Sequence, residues 1–357
     1  QEVTVYARKW YSPNESPTFQ GVKIKYLPCV HTKHLDAITH SFLATIDAIK
    51  NNYDIIHYHG VGPSLLAWIP RIFARHSLVV CTFHSIDRYH QKWNPIAKLF
   101  LRLGEKAACV FPHKTITISQ GLQQYCLNEY NKETIYIPNG INPKEEKNSD
   151  TINQFGLNKN EYFVMVSRLI PHKGAHVLIE AFNNLKKNNP DNQAIKNLKL
   201  AIVGGSAYTD DYVKKLHRLA SNNNQIIFTD FQSGKTVDQL YANSLALIHP
   251  SFNEGLPITV IEAMSHGKPV LLSNIAEHIE LGTDYNLIFK DNNVKELEDK
   301  MLYFINLNED EKILLGKQNK TIVDEKYHWK KLIPQILSVY EKEKLEMPHK
   351  KLLPENI

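Results

Sequence analysis

The sequence lacks the short motifs that mark the commonest metal, redox and dinucleotide sites. It contains no HExxH, no CxxC and no GxGxxG, and its 17 histidines show no metal-site spacing. Unpaired and scattered thiols are typical of reduced core cysteines in a cytosolic protein. The four cysteines fit that pattern, since they lie far apart and only in the first half: Cys29, Cys81, Cys109 and Cys126. These absences argue against a zinc site and against a nicotinamide dinucleotide fingerprint.

Long apolar runs and a strong charge of either sign are also missing. No run approaches the roughly 20 residues of a membrane span, and the start of the chain shows no signal peptide. The net charge is +5 in 357 residues, and no stripe of Arg and Lys is interleaved with aromatic residues. We therefore expect a cytoplasmic protein with no nucleic-acid partner. The mild basic excess is compatible with peripheral contact at an anionic membrane surface, on its inner face.

What the chain does contain is a repeated alternation of strand and helix patterns. Such alternation predicts parallel α/β architecture, and its occurrence twice predicts two doubly wound domains. We expect an N-terminal domain at 1–145, a C-terminal domain at 150–327, a helix at 328–345 that packs back on the first domain, and a tail at 346–357. The strand candidates are Val3–Arg8, Val22–Pro28, Asp54–Gly60, Leu78–His84, Lys114–Ser119, Thr134–Gly140, Tyr162–Arg168, Leu198–Gly204, Gln225–Phe231, Leu245–Ser251, Pro269–Asn274 and Asn286–Lys290.

The chain opens directly in a strand candidate at Val3, without an initiator Met. In a doubly wound sheet the first strand is central, and the loop after it faces the ligand crevice. We therefore expect that one strand–loop–helix unit of roughly 30 residues is missing from the front, which makes the chain a fragment with a truncated first domain.

The segment Ser251–Ser273 indicates a strand end, a loop, a short helix and another strand. Pro257 suits the first helical position, where its missing N–H costs nothing. Backbone N–H groups around Gly255 and Leu256, with the positive end of the helix, would bind a phosphate. Glu254 would lie beside that anion and Glu262 further along the helix. A phosphate site with two carboxylates fits a sugar nucleotide better than a plain nucleotide.

A second candidate lies in SRLIPHKG, residues 167–174, which follows a strand and leads into a helix. Arg168 would supply a bidentate fork and Lys173 a point charge to one diphosphate. The alternative is two solvated basic side chains in a loop. Ligands of open α/β sheets bind outside the carboxyl ends of the strands, which favours the functional interpretation.

Other patterns are weaker. Gly204, which with Gly205 ends a strand, would let the backbone approach a ligand, although such a pair is also a common turn. GKT at 234–236 suggests a P-loop, but the glycine required five positions earlier is Thr229, so we reject it. Glu254 and Glu262 could be a glycosidase pair, yet glycosidase carboxylates flank a groove on separate elements.

His84 closes a strand of the first half, and a histidine there can orient a hydroxyl or relay a proton. A structural histidine is the equally plausible alternative for His84, and the more plausible one for His57. Pro138-Asn139-Gly140 is a turn signal that either shapes a hinge or contacts ligand.

Together, EGLPITVIE, SRLIPHKG, VGG, HPS and PNG resemble the retaining glycosyltransferase family 4, the glycosyl transferases group 1. The ordered set spans nearly the whole chain. DIIHYHG, CTFHSIDRYHQKW and LFLRLGEKA further resemble members of the family that build bacterial cell-surface polysaccharides. The resemblance implies the GT-B fold, in which two doubly wound, Rossmann-like domains face a cleft.

The resemblance also implies roles for single residues. Arg168 and Lys173 would hold the donor diphosphate, and the backbone around Leu256 would meet phosphate. Glu254 would contact the donor sugar, Glu262 the ribose, and His84 the transferred sugar or the acceptor. The wider set of expected donor-binding residues is Arg168, Lys173, Gly204, Phe231, Gly255, Leu256, Pro257 and Glu262. The family works without a bound metal or cofactor, with a nucleoside-diphosphate sugar as co-substrate.

Two departures from the family pattern stand out. We expect the family's first strand and its Gly-rich loop to be missing from this chain. Phe231 occupies a region where the family often has Gly, which would alter contacts with the base. We expect a hexose transfer with retention to a hydroxyl acceptor, either a glycan or a lipid-linked oligosaccharide. A GT-B nucleotide-sugar epimerase and a catalytically impaired sugar-nucleotide-binding protein stay open as alternatives.

Overall fold

The computed structural model describes residues 1–11, 16–32, 35–89, 95–146 and 148–346. Almost all of the predicted tail, 346–357, lies outside these residues. The chain divides into two units, which we call the first unit (Gln1–Pro138 and Pro334–Ile357) and the second unit (Asn139–Ile333). The first division falls inside the Pro138-Asn139-Gly140 turn.

The first unit contains two sheets with helices between the strands. Its elements in chain order are β1 (Thr4–Arg8), β2 (Thr18–Phe19), β3 (Val22–Leu27), α1 (Asp36–Lys50), β4 (Ile55–His59), α2 (Val61–Ser64), α3 (Trp68–Phe73), β5 (Leu78–Phe83), α4 (Pro95–Val110), β6 (Lys114–Thr117), α5 (Gln120–Tyr130) and β7 (Ile135–Tyr136). One sheet has the order β1-β3-β2, in which β2 is antiparallel to β3, and the other has the parallel order β4-β5-β6-β7.

The strand β5 lies inside its sheet, between β4 and β6, and its burial reflects that position. All six residues of Leu78–Phe83 are buried, as expected for a parallel strand that is covered on both faces. Ala48 of α1 packs with Ile56, Tyr58 and Val79 in one apolar cluster of this unit. The sheet therefore holds the strand-end residues of β4 and β5 in fixed register, with His59 beside Thr82.

The second unit is built on one parallel sheet of six strands. Its strands and helices are β8 (Tyr162–Val166), α6 (Ala175–Asn188), α7 (Gln193–Lys196), β9 (Lys199–Val203), α8 (Asp210–Ala220), β10 (Ile226–Phe228), α9 (Lys235–Ala242), β11 (Ala246–His249), α10 (Ile258–Ser265), β12 (Val270–Ser273), α11 (Ala276–Ile279), β13 (Ile288–Phe289), α12 (Val294–Asn306) and α13 (Glu309–Lys326). The strand order is β10-β9-β8-β11-β12-β13.

This order reverses between β8 and β11. From β8 the chain moves outward through β9 and β10, and then returns to pair β11 with the other side of β8. Such a reversal is the topological switch point, where loops from two adjacent strands diverge and leave a crevice at their carboxyl ends. The core on which the sheet rests is apolar and closely packed, with Phe163, Phe182 and Phe304 fully buried.

The last helix, α14 (Trp329–Glu346), begins in the second unit, and its residues from Pro334 onward belong to the first. Within the first unit, the Tyr340 hydroxyl lies 2.6 Å from His57 Nδ1. Gly140 of the predicted turn lies against α14 in the second unit, since a Cβ there would stand 2.8 Å from the Trp329 ring. No helix in the described residues is long and apolar enough to cross a bilayer.

Every strand candidate of the sequence contains a strand, mostly trimmed by one to three residues, and the predicted parallel α/β architecture is confirmed. The two-residue strand β2 was missed. It pairs with β3 through a turn in which Gln20 and Gly21 have positive φ. Two residues are too short to show an alternation of apolar and polar positions.

Candidate functional site

The switch point of the second unit brings together the two loops that the sequence singled out. The loop Ser167–Gly174 follows β8, and the loop from Pro250 to Glu254 follows β11, its direct neighbour in the sheet. Side chains from both loops therefore leave the same edge of the sheet. This is where an open parallel sheet binds its ligand.

Close backbone contacts lock the two loops to each other. The N–H of Phe252 donates to the carbonyl of His172 at 2.8 Å, and the Ser251 hydroxyl donates to the same oxygen at 3.1 Å. Gly174 has φ of +73°, and a Cβ on it would stand 2.1 Å from the Pro250 carbonyl oxygen. Only glycine fits this position, since both its conformation and its contact exclude a side chain.

Lys173 and Glu254 form an ion pair across these loops. Lys173 Nζ lies 2.5 Å from Glu254 Oε1, and the two side chains are 14% and 7% exposed. Burial alone would raise the pKa of Glu254. The opposing effect of nearby His249 and Lys173, with hydrogen bonds from Lys173 and Ser251, is larger and lowers that pKa to about 2. Glu254 is therefore a carboxylate at neutral pH, and Lys173 is its partner cation.

Two buried histidines extend this pair into the protein. His249 Nε2 lies 3.5 Å from Glu254 Oε1, and His249 Nδ1 lies 3.0 Å from His278 Nε2. His278 Nδ1 in turn approaches the Ser273 hydroxyl and carbonyl oxygens at 3.0 and 2.9 Å. Burial lowers the pKa of His249 to about 3 and that of His278 to about 4. Both imidazoles are thus neutral near pH 7. The hydrogen bond to His278 fixes the His249 ring, whose Nε2 faces Glu254 without a hydrogen bond.

The helix α10 begins one residue later than the sequence predicted. Pro257 is the residue before the helix, with φ of −79° and ψ of 80°, and its carbonyl accepts from Val260 and Ile261 at 3.0 and 3.2 Å. The prediction that Pro257 is the first helical residue is therefore wrong by one position. In the described part of the chain, the N–H groups of Gly255 and Leu256 have no backbone acceptor. They precede the positive end of α10 and can donate to an anion.

Glu262 lies in the second turn of α10 and is held by a different partner. The hydroxyl of buried Tyr241 donates to Glu262 Oε2 at 3.0 Å. Burial raises the pKa of Glu262, although the Tyr241 hydrogen bond opposes that shift. Glu254 and Glu262 therefore have opposite pKa shifts on one loop–helix segment. An ionised carboxylate and a more easily protonated one suit different tasks.

Three other predicted residues follow the strands β8, β9 and β10 in turn. Arg168 is exposed directly after β8. Gly204 has a structural reason to be glycine, because a Cβ on it would stand 1.8 Å from the Ser167 carbonyl oxygen. Phe231 follows Asp230, which has φ of +56°, and its ring is 75% exposed near Gly205.

The first unit carries its own polar cluster at the ends of β4 and β5. His84 Nε2 lies 3.2 Å from His59 Nδ1, and the two rings are stacked. His57 Nε2 lies 2.7 Å from the Thr82 hydroxyl, with Tyr340 on its other nitrogen. Burial, reinforced by His59, lowers the pKa of His84 to about 4. His84 is therefore a neutral hydrogen-bonding group at neutral pH, at the strand end where the sequence placed it.

The sequence predicted Lys173 and Glu254 as site residues. It did not predict the buried side chains next to them. His249 was visible only as part of HPS, at the end of a strand next to the acidic loop. His278 and Ser273 gave no signal, because the contacts of His278 with His249 and of Ser273 with the Ser251 carbonyl depend on the pairing of β11 with β12. Such a network is formed by tertiary structure and has no spacing in the sequence.

Known proteins share these elements in the same order. The model for glycosyl transferases group 1 matches residues 148–321, and the model for glycosyltransferase family 4 matches residues 1–145. The chain belongs to glycosyltransferase family 4. It is 25% identical over 339 residues to the spore coat protein SA of Bacillus subtilis, with 88% of this chain and 85% of that protein covered.

Two further relatives extend the comparison. This glycosyltransferase is 26% identical over 239 residues to the UDP-Gal:alpha-D-GlcNAc-diphosphoundecaprenol alpha-1,3-galactosyltransferase of Escherichia coli, covering 63% of this chain and 59% of that enzyme. The crystal structure of Anabaena HepE in complex with UDP and glucose superposes with a TM-score of 0.74 at 21% identity. The match covers 90% of this chain and 87% of that one. The GT-B prediction is confirmed.

The family assignment makes this chain a transferase enzyme, as predicted.

Proposed function

We propose that this enzyme moves a hexose from a nucleoside-diphosphate sugar to a hydroxyl acceptor, with retention of the anomeric configuration and without a metal ion. One observation carries the proposal. A buried Lys173–Glu254 pair, Nζ to Oε1 2.5 Å, lies at the switch point beside the N-terminal end of α10. Cation, carboxylate and free N–H groups at one sheet edge fit a donor that has both a diphosphate and a sugar.

In this proposal the diphosphate binds to Lys173, Arg168 and the N–H groups before α10. These groups neutralise the charge that develops on the diphosphate as the C1–O bond breaks, which is the work that a metal ion would otherwise do. The Lys173 side chain need not move far to bind the diphosphate, because its ammonium already lies beside Glu254 where the two loops meet.

Glu254 then faces the sugar and stabilises positive charge at C1, since its low pKa keeps it ionised. The acceptor oxygen forms its bond to C1 on the face from which the diphosphate leaves, and the acceptor proton passes to a diphosphate oxygen. His84 orients the acceptor or the transferred sugar, and Glu262 holds the ribose hydroxyls. No general base is required by this same-face transfer.

The acceptor in this proposal is a glycan or a lipid-linked oligosaccharide, and the enzyme works peripherally at the inner face of a membrane. Support comes from the E. coli relative, whose name gives a diphosphoundecaprenol-linked acceptor. The Anabaena structure with UDP and glucose supports the class of donor.

The decisive test is the double variant Arg168→Ala/Lys173→Ala with a panel of nucleoside-diphosphate hexoses. We expect a fall in kcat/KM of at least about 1000-fold, because two donors to the leaving group are lost. The matched control is Lys187→Ala/Arg218→Ala, which removes the same two charges from exposed helix positions of the second unit. Near-normal transfer by the double variant would refute the proposal, and interconversion of the free sugar nucleotide without acceptor would show an epimerase instead.

A further inference from the structure

The helix α4 of the first unit carries its large apolar side chains on the outside. Ile96, Leu99, Phe100 and Leu103 are spaced i, i+3, i+4 and i+7, so they form one stripe along the helix. That pattern ordinarily marks the side that faces the core. Here each of the four is between 46% and 68% exposed in the described structure.

The inner side of α4 explains why this stripe stays outside. Gly104 and Ala108 are buried there. A Cβ on Gly104 would stand 2.4 Å from the Val61 carbonyl oxygen, so the helix backbone rests directly against the start of α2. Large side chains do not fit between these two helices. Rotation of α4 to bury the stripe would break this contact, and the orientation is therefore set by small residues.

The charged side chains of α4 are also divided between an exposed side and a buried side. Lys98, Arg102 and Lys106 are all exposed and follow one another at i, i+4 and i+8, in a row beside the apolar stripe. Glu105 is the acidic residue of α4, and it is buried, where it accepts hydrogen bonds from Tyr125 and Tyr130 at 2.8 and 2.7 Å. The outward face thus combines large apolar side chains with three cations and no carboxylate of its own helix.

We propose that this face of α4 is a docking surface for an anionic phospholipid bilayer. The apolar stripe would enter the boundary between head groups and acyl chains while the flanking Lys and Arg side chains meet lipid phosphates. Val110, which is also exposed, extends the apolar surface to the end of the helix, about 21 Å from Ile96 at 1.5 Å per residue.

The cationic row favours lipid over a second copy of this chain. Two identical copies joined through this face would bring like charges together, whereas anionic head groups attract each Lys and Arg near the surface. This docking surface rests on the proposed function, in which the acceptor is lipid-linked. An enzyme docked on the bilayer would meet that acceptor at the membrane. Vesicle binding needs no donor and no turnover, so it is measured independently of the proposed activity.

The test is co-sedimentation of the full chain with vesicles of phosphatidylcholine mixed with phosphatidylglycerol, and with vesicles of phosphatidylcholine alone. We expect binding to the anionic vesicles that weakens at high salt. Leu99→Ser/Phe100→Ser/Leu103→Ser should weaken it at least about tenfold. Lys98→Glu/Arg102→Glu should do the same. Melting curves would show that both variants stay folded, as expected for exposed positions.

Matched controls come from the second unit. Ile313→Ser/Leu314→Ser changes two side chains that are 52% and 55% exposed, and Lys187→Glu/Lys317→Glu makes the same change in net charge as the α4 pair. Both should bind anionic vesicles like the unmodified chain.

Three outcomes would overturn the docking surface: equal binding to neutral vesicles, unchanged binding by the α4 variants, or a lipid-free dimer that those variants dissociate. Loss of sugar transfer with intact vesicle binding would count against the proposed function alone.

Discussion

The two polar clusters of the molecule differ in charge. In the second unit, Lys173 and Glu254 form a buried ion pair, and their histidine neighbours are neutral. In the first unit, His57, His59 and His84 meet one another and hydroxyl groups, without an ion pair among the three rings. A fixed pair of charges suits a charged donor, whereas neutral imidazoles suit the hydroxyl groups of a sugar or an acceptor.

The difference also has an energetic side. Burying Lys173 and Glu254 requires desolvation that only good geometry and added hydrogen bonds can offset. The second unit provides both, through the loops locked at Gly174 and through the hydrogen bond from Lys173 to Glu254. The histidine cluster needs no such support, because neutral rings lose less on burial. The charged cluster should therefore be the more sensitive of the two to substitution.

Glu254→Gln is expected to have the largest effect among single substitutions in the two clusters. The amide keeps the shape but removes the charge that faces C1, so we expect kcat to fall about 100- to 1000-fold. Initial rates with saturating donor and acceptor measure it. Glu262→Gln is the matched control on the same segment, and it should change mainly the KM for donor. A Glu254→Gln enzyme with unaltered kcat would remove the distinction between the clusters.

His84→Asn should have a smaller effect. A neutral side chain that orients a hydroxyl contributes one hydrogen bond, so we expect about a tenfold rise in the acceptor KM, with little change for the donor. The separation of acceptor KM from donor KM is the measurement. If His84→Asn lost as much donor affinity as Arg168→Ala/Lys173→Ala, both clusters would bind the donor. That result would contradict the separate roles given to the two clusters.

The pH dependence of stability tests the burial of His249 and His278. Their pKa values are lowered by burial from 6.5 to about 3 and about 4. The unfolded chain therefore binds more protons than the folded chain below pH 6.5, and stability is lost as pH falls through that range. We expect His278→Gln to make the free energy of unfolding less dependent on pH between 6.5 and 4, by about 1–3 kcal/mol.

Urea unfolding at several pH values measures that slope, and the slope is informative even if the variant is less stable throughout. His217→Gln is a suitable control, since His217 is exposed on α8 of the same unit. Parallel slopes for the native chain and His278→Gln would show that the buried pair does not titrate as described.

Phe231→Ala should have the smallest effect. Its ring is 75% exposed after the edge strand β10, where it can stack on a base but supports no packing. We expect a severalfold rise in donor KM, an unchanged kcat and an unchanged melting temperature. Steady-state kinetics with the preferred donor would measure it. An unchanged donor KM would remove Phe231 from the donor site.

Much of the fold was predictable, because parallel strands covered on both faces are continuous apolar runs bounded by turns. Leu78–Phe83 and Tyr162–Val166 are examples. The site was predictable where residues follow such strands closely, as Lys173 and Glu254 do. The contact of His278 with His249 was not predictable, because it depends on the order of strands in the sheet. The reason for glycine at position 204 was not predictable either, because it lies in the close approach of the Ser167 backbone. The start of α10 was missed by one residue, since a proline suits both positions.

Hydrogen–deuterium exchange of the full chain, with and without uridine diphosphate and guanosine diphosphate, tests most directly whether the donor binds at the switch point. The account predicts slower exchange in 167–174 and 253–262 with at least one diphosphate, and no protection around His84. Arg168→Ala/Lys173→Ala should abolish that protection. Protection confined to the first unit, or protection that persists in the double variant, would contradict the account.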